Sequence, residues 1–429
     1  MRYIIRMVLL LVILIGVSNI LAQWIPTPLT EICASLAPKQ DGSSAPLYAG
    51  TLTGVYSSLD HGENWNLVWG GQGDTLVYAL AVSNPYIFAG TFHGGVVRSR
   101  NGGQTWNAVN NGITSSHIRA LAILTDGAGD TTLFAGTFGG GIFRSTDLGS
   151  SWGPSINGVS NLYIMAFTIL NNGSPTARIF AASNGGGIYA SDDGGMTWQT
   201  KNNGLLSLDV RAFTFSKNSS NTTYLFASTH NGGVFLSTDA GDNWTAVNNG
   251  LTSLYIWSLA SLTNSQDQVT IFAGSDQGGV YRSTNSGSSW ELYNLGQPTY
   301  AVTPALAIRE PYVFAGTWDA GVWRRLIDET TFLPGEGDYT NPQVFHLGQN
   351  YPNPFNPVTQ IRYAIPQASR VTLEVYNSLG QKIAELVNEE KAAGQFVVAF
   401  DASQLPSGIY IYRINAGSYQ KVMKMILMK

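Results

Sequence analysis

The pattern Ser-x-Asp-x-Gly-x-x-Trp is written six times in this 429-residue chain. Its copies start at Ser58, Ser99, Ser145, Ser191, Ser237 and Ser283 and end at Trp65, Trp106, Trp152, Trp198, Trp244 and Trp290. Asp60, Asp147, Asp193 and Asp239 keep the acid, and Asn101 and Asn285 replace it. From Trp106 onward the tryptophans fall 46 residues apart, four times running. A fixed period of that length in a chain of short apolar runs indicates a radial array with one four-stranded sheet per repeat.

The spacing within each copy has a physical reading. Ser, Asp and Gly between two apolar runs make a tight turn in which the carboxylate accepts backbone N–H groups ahead of it and Gly supplies positive φ. The Trp then buries a large ring where the next strand starts. The pattern resembles the Asp-box, the BNR-like repeat of sialidase, sortilin and xyloglucanase propellers. Six acids or amides in register are expected to brace turns, because one active site does not need six copies.

Two further signatures accompany each box. One is a Phe-Ala-Gly strand, seen at 47–51, 87–91, 133–137, 179–183, 225–229, 271–275 and 313–317. The other is a Gly-Gly turn leading into the strand before the box, as in Gly141-Ile-Phe-Arg144. An inner strand rich in Ala and Leu precedes both. Seven Phe-Ala-Gly strands stand against six boxes, since no box follows Val322-Trp323-Arg324. The missing strand is expected at the other end of the chain. Gln23-Trp24-Ile25-Pro26 matches Ser151-Trp152-Gly153-Pro154, and Trp24 lies 41 residues before Trp65, the step that also separates Trp65 from Trp106. The expectation is an all-β chain whose seven-bladed β-propeller is closed by the N-terminal strand, because an open ring would leave two unpaired edges.

Residues 1–22 read as a signal peptide: Arg2 and Arg6 precede an apolar run, Met7 to Val17, too short to span a bilayer. Cleavage after Ala22 would free the closing strand intact. The propeller is expected over 23–327 and a linker over 328–341, where Pro334-Gly-Glu-Gly-Asp338 breaks the repeat. Residues 342–429 form a different module, with strands at about 359–365, 370–377, 382–388, 395–401, 408–415 and 419–427 and clean alternation in Val371-Thr-Leu373-Glu-Val375, as in a small Ig-like β-sandwich. Tyr351-Pro-Asn-Pro-Phe355, Val375-Tyr-Asn-Ser-Leu-Gly380, Ser407-Gly-Ile-Tyr410 and Lys424-Met-Ile-Leu-Met-Lys429 resemble, in order, the C-terminal type A sorting domain of the type IX secretion system. The resemblance implies partnership with that machinery and a secreted or outer-membrane surface location in a gram-negative bacterium.

Charged residues make up only 12% of the chain and its net charge is −4, which gives no case for nucleic acid. Cys33 is the single cysteine, without metal-ligand or catalytic spacing, and reads as a buried small apolar residue. No cofactor or metal is expected, and the chain reads as a monomer. Arg119 and Arg211 occupy equivalent places, each 13 residues past its Trp, but Met165 and Trp257 stand at the matching positions. A sialidase arginine cluster is therefore incomplete, and the Arg-Ile-Pro motif is absent.

Meander geometry puts the Gly-Gly turns and the connections after the fourth strands on one face, and the boxes on the other. The turns carry His93, Phe138, Asn184, His230, Asp276, Gln277, Trp318 and Asp319; the connections bring Glu31, His117, Tyr163, Asp209 and Tyr255. Aromatic rings beside carboxylates and amides suit contact with carbohydrate or peptide. The expected site centres on His93, His230, Asp276, Trp318 and Asp319, in a non-catalytic module binding a glycan or protein. The rival reading is a sialidase-like or xyloglucanase-like glycoside hydrolase, which needs two carboxylates about 5–10 Å apart across that face.

Overall fold

The computed structural model describes residues 23–38, 45–71, 75–170, 177–264, 267–276, 278–297, 301–327, 345–348, 350, 355–417 and 419–428. The expected signal peptide and linker, and Gln277, lie outside them. The chain divides into two compact units, residues 1–332 and 333–429. All regular elements among the described residues are strands.

The first unit holds seven four-stranded antiparallel sheets. Sheet three is representative: Ile118–Thr125 is the inner strand, followed outward by Thr131–Thr137, Gly141–Ser145 and the two-residue Gly153–Pro154. Each sheet buries both faces against its neighbours, so the core is a series of inter-sheet layers. Phe134, Ile179, Tyr189 and Trp198 join sheets three and four. Leu29, Cys33 and Leu47 pack on Ala307 and Phe314, which joins sheet one to sheet seven and closes the ring. Sheet seven takes its fourth strand from the N-terminus, Ile25 opposite Arg324 and Pro26 opposite Trp323. Cys33 is fully buried in the closing layer, where desolvation pushes its thiol up to about 12.

The box turns explain their own spacing. Asp147 accepts from the Ser145 hydroxyl at 2.7 Å, the Ser151 amide at 2.9 Å and the Ser151 hydroxyl at 2.6 Å. The Ser145 hydroxyl in turn accepts from the Gly149 amide at 2.9 Å. Asp239 and Asn101 repeat the arrangement, which needs acceptor oxygens more than it needs a charge. Donation by the Ser151 and Asn243 side chains first, then by backbone amides, holds Asp147 and Asp239 at about 2. At Asp193 the same bonds, from Thr197, outweigh burial and reach the same value.

Each box Trp then reaches back to the outer strand of the preceding sheet. Trp152 donates through its indole to the Val109 carbonyl at 2.8 Å and Trp244 to that of Lys201 at 3.0 Å. Trp24 does the same in sheet seven, donating to the Tyr293 carbonyl at 2.5 Å. Glycines permit the approach: Gly112 has φ +93°, and a Cβ there would lie 2.0 Å from the Trp152 carbonyl oxygen. The boxes and their tryptophans are thus the staples between sheets.

The second unit is a two-layer sandwich. One sheet pairs His346–Leu347 with Val358–Ile365 and Gly394–Asp401; the other runs Lys382–Lys391, Ser369–Asn377, Gly408–Ala416, Tyr419–Leu427. Its core is separate and built from the alternating apolar set, including Ile361, Leu373, Val375, Tyr412 and Leu427.

Candidate functional site

The inner strands carry a repeated irregularity. In six sheets the first pair of the inner ladder is followed by a register shift, between Cys33 and Ser35, Val77 and Ala79, Ile118 and Ala120, Ile164 and Ala166, Val210 and Ala212, and Ile256 and Ser258. The residue inserted at each bulge is Ala34, Tyr78, Arg119, Met165, Arg211 or Trp257. A bulge leaves one residue unpaired and re-aims its side chain. The fold therefore presents one variable residue at equivalent positions on the inner strands of six sheets.

These residues meet one another. Arg119 lies over the Tyr78 ring at 3.9 Å, and Arg211 lies 4.8 Å from the Trp257 ring centre. Arg119 is depressed by burial above all, and the positive charge of Arg211 contributes to the same shift.

The Gly-Gly turns and the fourth-strand connections supply the rim of the same face. Phe138 bridges to Tyr163, Asn184 to Asp209 and His230 to Tyr255, each turn pairing with the connection that enters the next sheet. One aromatic run passes from Phe92 to His117 at 4.4 Å, to Phe138 at 5.1 Å and to Tyr163 at 4.7 Å. A second passes from Tyr255 to His230 at 4.6 Å, to Trp257 at 6.0 Å and to Trp318 at 5.2 Å. The turns are rigid: the Asn110 side chain accepts from the Val96 amide and donates to the Gly94 carbonyl, and Asn202 and Asn248 repeat this.

Buried polar atoms without a partner occur on this face and elsewhere, His61 Nδ1 in the first box among them. Arg144 and Arg178, on the box side, donate to the carbonyls of Gly194 and Ala240 in the next turns. Arg178, which leads into a Phe-Ala-Gly strand, also pairs with Asp192 at 2.7 Å. Here the Arg211 Nη2 bonds Asp209 at 2.6 Å, but its Nε is buried without a partner. So are Asp209 Oδ1, His117 Nε2, Trp257 Nε1 and Trp318 Nε1. No carboxylate among the described residues pairs with Arg119. His117 is held down at about 4 by burial first, then by Arg119 and His93, so its imidazole is neutral at pH 7. Five such atoms lie on this face, where a ligand or water could meet them.

The expected residues fall within this frame unevenly. His230 and Trp318 join through Trp257. His93 lies against Phe92 in a tilted contact, ring centres 4.0 Å apart, beside His117 and on the other aromatic run. The Asp276 amide donates to the Tyr255 carbonyl, and Asp319 is exposed on the rim. Glu31 is engaged by Thr51, Thr53 and Tyr56 within sheet one. The predicted site omitted the bulge residues Tyr78, Arg119, Arg211 and Trp257. Their signal was present in the equal spacing of Arg119, Met165, Arg211 and Trp257 from the preceding Trp.

Comparison with known proteins divides along the two units. Residues 349–428 match the secretion system C-terminal sorting domain. The chain is therefore exported by type IX secretion, to the cell surface or beyond it. No curated protein matches the chain. Among solved structures it is similar to the extracellular domain of BT4673, a one-component system of B. thetaiotaomicron, with 14% identity and TM-score 0.55 over 95% of this chain and 59% of that one. PorZ, a bacterial surface component of the type IX secretion system of Porphyromonas gingivalis, gives 15% and 0.51 over 94% and 61%. The GH74 xyloglucanase from Xanthomonas campestris gives 15% and 0.52 over 94% and 67%. This chain spans about three fifths of the length of the first two. At these identities the likeness is one of fold: a β-propeller.

Proposed function

We propose that the exported propeller is a non-catalytic binding module whose ligand, a glycan or protein, docks on the face of the Gly-Gly turns. The observation that carries this reading is the set of buried, unpartnered polar atoms on that face, three of them on the aromatic runs themselves. Asp209 on this face is tied to Arg211 at 2.6 Å. That favours an ion partner over a free acid or nucleophile, and so binding over hydrolysis.

The reading is tested by a glycan array run beside hydrolysis assays, followed by Trp318→Ala combined with Asp276→Ala on any ligand found. The double variant is expected to weaken binding by about 1–3 kcal/mol, the scale of a lost anchor, at little cost in stability. A ligand footprint confined to the box face, or turnover of a glycoside, refutes it.

A further inference from the structure

We infer that the junction between sheets seven and one is an acid-sensitive clasp, in which a proton on His61 loosens the closed ring. Four junctions share a latch. Sheets two, three, four and seven each send an arginine to a carbonyl in the next box: Arg98 to Leu148, Arg144 to Gly194, Arg178 to Ala240 and Arg324 to His61. The acceptor is in every case the residue after the box Asp. In the other boxes that position holds Gly102, Leu148, Gly194, Ala240 or Ser286, none of which titrates. At the closing junction it holds an ionisable ring.

Two arginines of sheet seven anchor on the backbone that carries this ring. The His61 carbonyl takes Arg324, and the carbonyl of Leu59, two residues earlier, takes Arg309 at 3.0 Å. The imidazole lies against Tyr312, ring centres 5.8 Å apart, and the Arg324 guanidinium lies 4.9 Å from the centre of the same tyrosine. His61 Nδ1 is buried without a partner. Both acids of the turn are engaged: Asp60 accepts from the Ser58 hydroxyl and twice from Asn64, and Glu63 pairs with Arg324 at 3.3 Å. A proton on the imidazole places a third positive charge beside two guanidiniums, with neither acid spare to meet it. Burial first, then Arg309 and Arg324, hold His61 down at about 4 against the opposing pull of Asp60. An imidazole freed by opening regains its ordinary 6.5 and takes a proton that the closed junction refuses. Closure is therefore at full strength above pH 6.5 and weakens as pH falls towards 4. Against burial, bonds from Asn64 and Ser58 keep Asp60 below its ordinary 3.8, beneath this window.

The experiment is hydrogen exchange with mass spectrometry on the full-length chain from about pH 7 to about pH 4.5, corrected for intrinsic exchange rates. Peptides covering 59–65 and 305–326 report the closing junction. Peptides covering 178–191 and 237–244 report the latch between sheets four and five, a reference within the same molecule. Relative to that reference, opening of the closing junction is expected to rise towards about tenfold per pH unit below about pH 6, the slope for uptake of one proton. His61→Leu copies the residue that sheet three holds at the same position, with φ 57° against 55°, and is expected to flatten the slope. His61→Asn, whose side chain tolerates that backbone conformation, is the second variant and carries the same expectation if the leucine variant folds poorly. Equal slopes at the two junctions, or a slope at the closing junction that survives loss of the imidazole, overturns the inference.

Discussion

Replacing Trp24 with Ala tests how the ring is held closed. Trp24 is 2% exposed, packs edge-on against Tyr293 with ring centres 6.4 Å apart, and lies in the layer with Phe272, Val280 and Val313. Removing a buried Trp side chain costs about 3–5 kcal/mol in transfer and cavity terms. The lost indole bond to the Tyr293 carbonyl adds little, because Arg325 also donates to that oxygen at 3.1 Å. The backbone pairing of Trp24 to Leu295, and of Ile25 and Pro26 to sheet seven, is kept in the variant. The loss is therefore set by burial and stands at about 3–5 kcal/mol, against a typical total of about 5–15 kcal/mol. In calorimetry of the full-length chain, with about 2–4 °C lost per kcal/mol or somewhat less for a unit of this size, the propeller transition is expected to fall by about 10 °C. Trp152→Ala is the internal standard: Trp152 makes the equivalent bond to Val109 and is 6% exposed. If Trp24→Ala melts like the parent while Trp152→Ala falls, the N-terminal strand does not hold the ring, and the closure argument is refuted. Deleting residues 23–29 is the stronger form and is expected to expose the edge of Val322–Leu326 and cause aggregation.

Asp239→Ala is expected to cost about 1–2 kcal/mol, the lower part of the range for hydrogen bonds to a charged group because the box is solvent-exposed, while leaving ligand binding intact; complete loss of binding in a stable variant would give the box acids a functional role. Because Asp147, Asp193 and Asp239 sit at about 2, below their ordinary 3.8, their contribution is full above pH 4 and is lost as pH falls from about 4 towards 2. Melting temperatures measured across that window should fall more steeply in the parent than in Asp239→Asn, which keeps an acceptor but does not titrate. Removing residues 342–429 is expected to leave a folded propeller stranded in the periplasm, measured by fractionation; its continued appearance outside the cell would contradict the export role of the second unit.

Much of the architecture was legible because repetition multiplies weak local signals. One Ser-x-Asp-x-Gly-x-x-Trp says little, whereas six in register give the turn, the strand that follows and the sheet period together. The Trp24 match was legible for the same reason: Trp-x-Pro recurs at Trp152-Gly153-Pro154. The site was less legible because its residues are those that do not repeat. His230 and Trp318 were expected from the variation of turn tips, and both rings lie against Trp257. Tyr78, Arg119, Arg211 and Trp257 were not assigned, since a bulge adds one residue without changing composition or alternation enough to be seen. The Asn110, Asn202 and Asn248 braces were missed although Asn-Asn-Gly recurs, because an Asn before Gly reads first as a turn former and its bond to a Gly-Gly turn 14 residues earlier is tertiary.

The bulges also explain how a symmetric ring yields one asymmetric site. The register shift at the start of the inner strand is common to sheets one to six, so the direction of the inserted side chain is inherited with the repeat. Its identity is not: small in sheet one, aromatic in sheets two and six, cationic in three and five, apolar in four. Sheet seven departs from the rule. Its inner strand, Ala305–Arg309, pairs with Tyr312–Gly316 without a shift. Trp318, from the turn that follows, meets Trp257 at 5.2 Å.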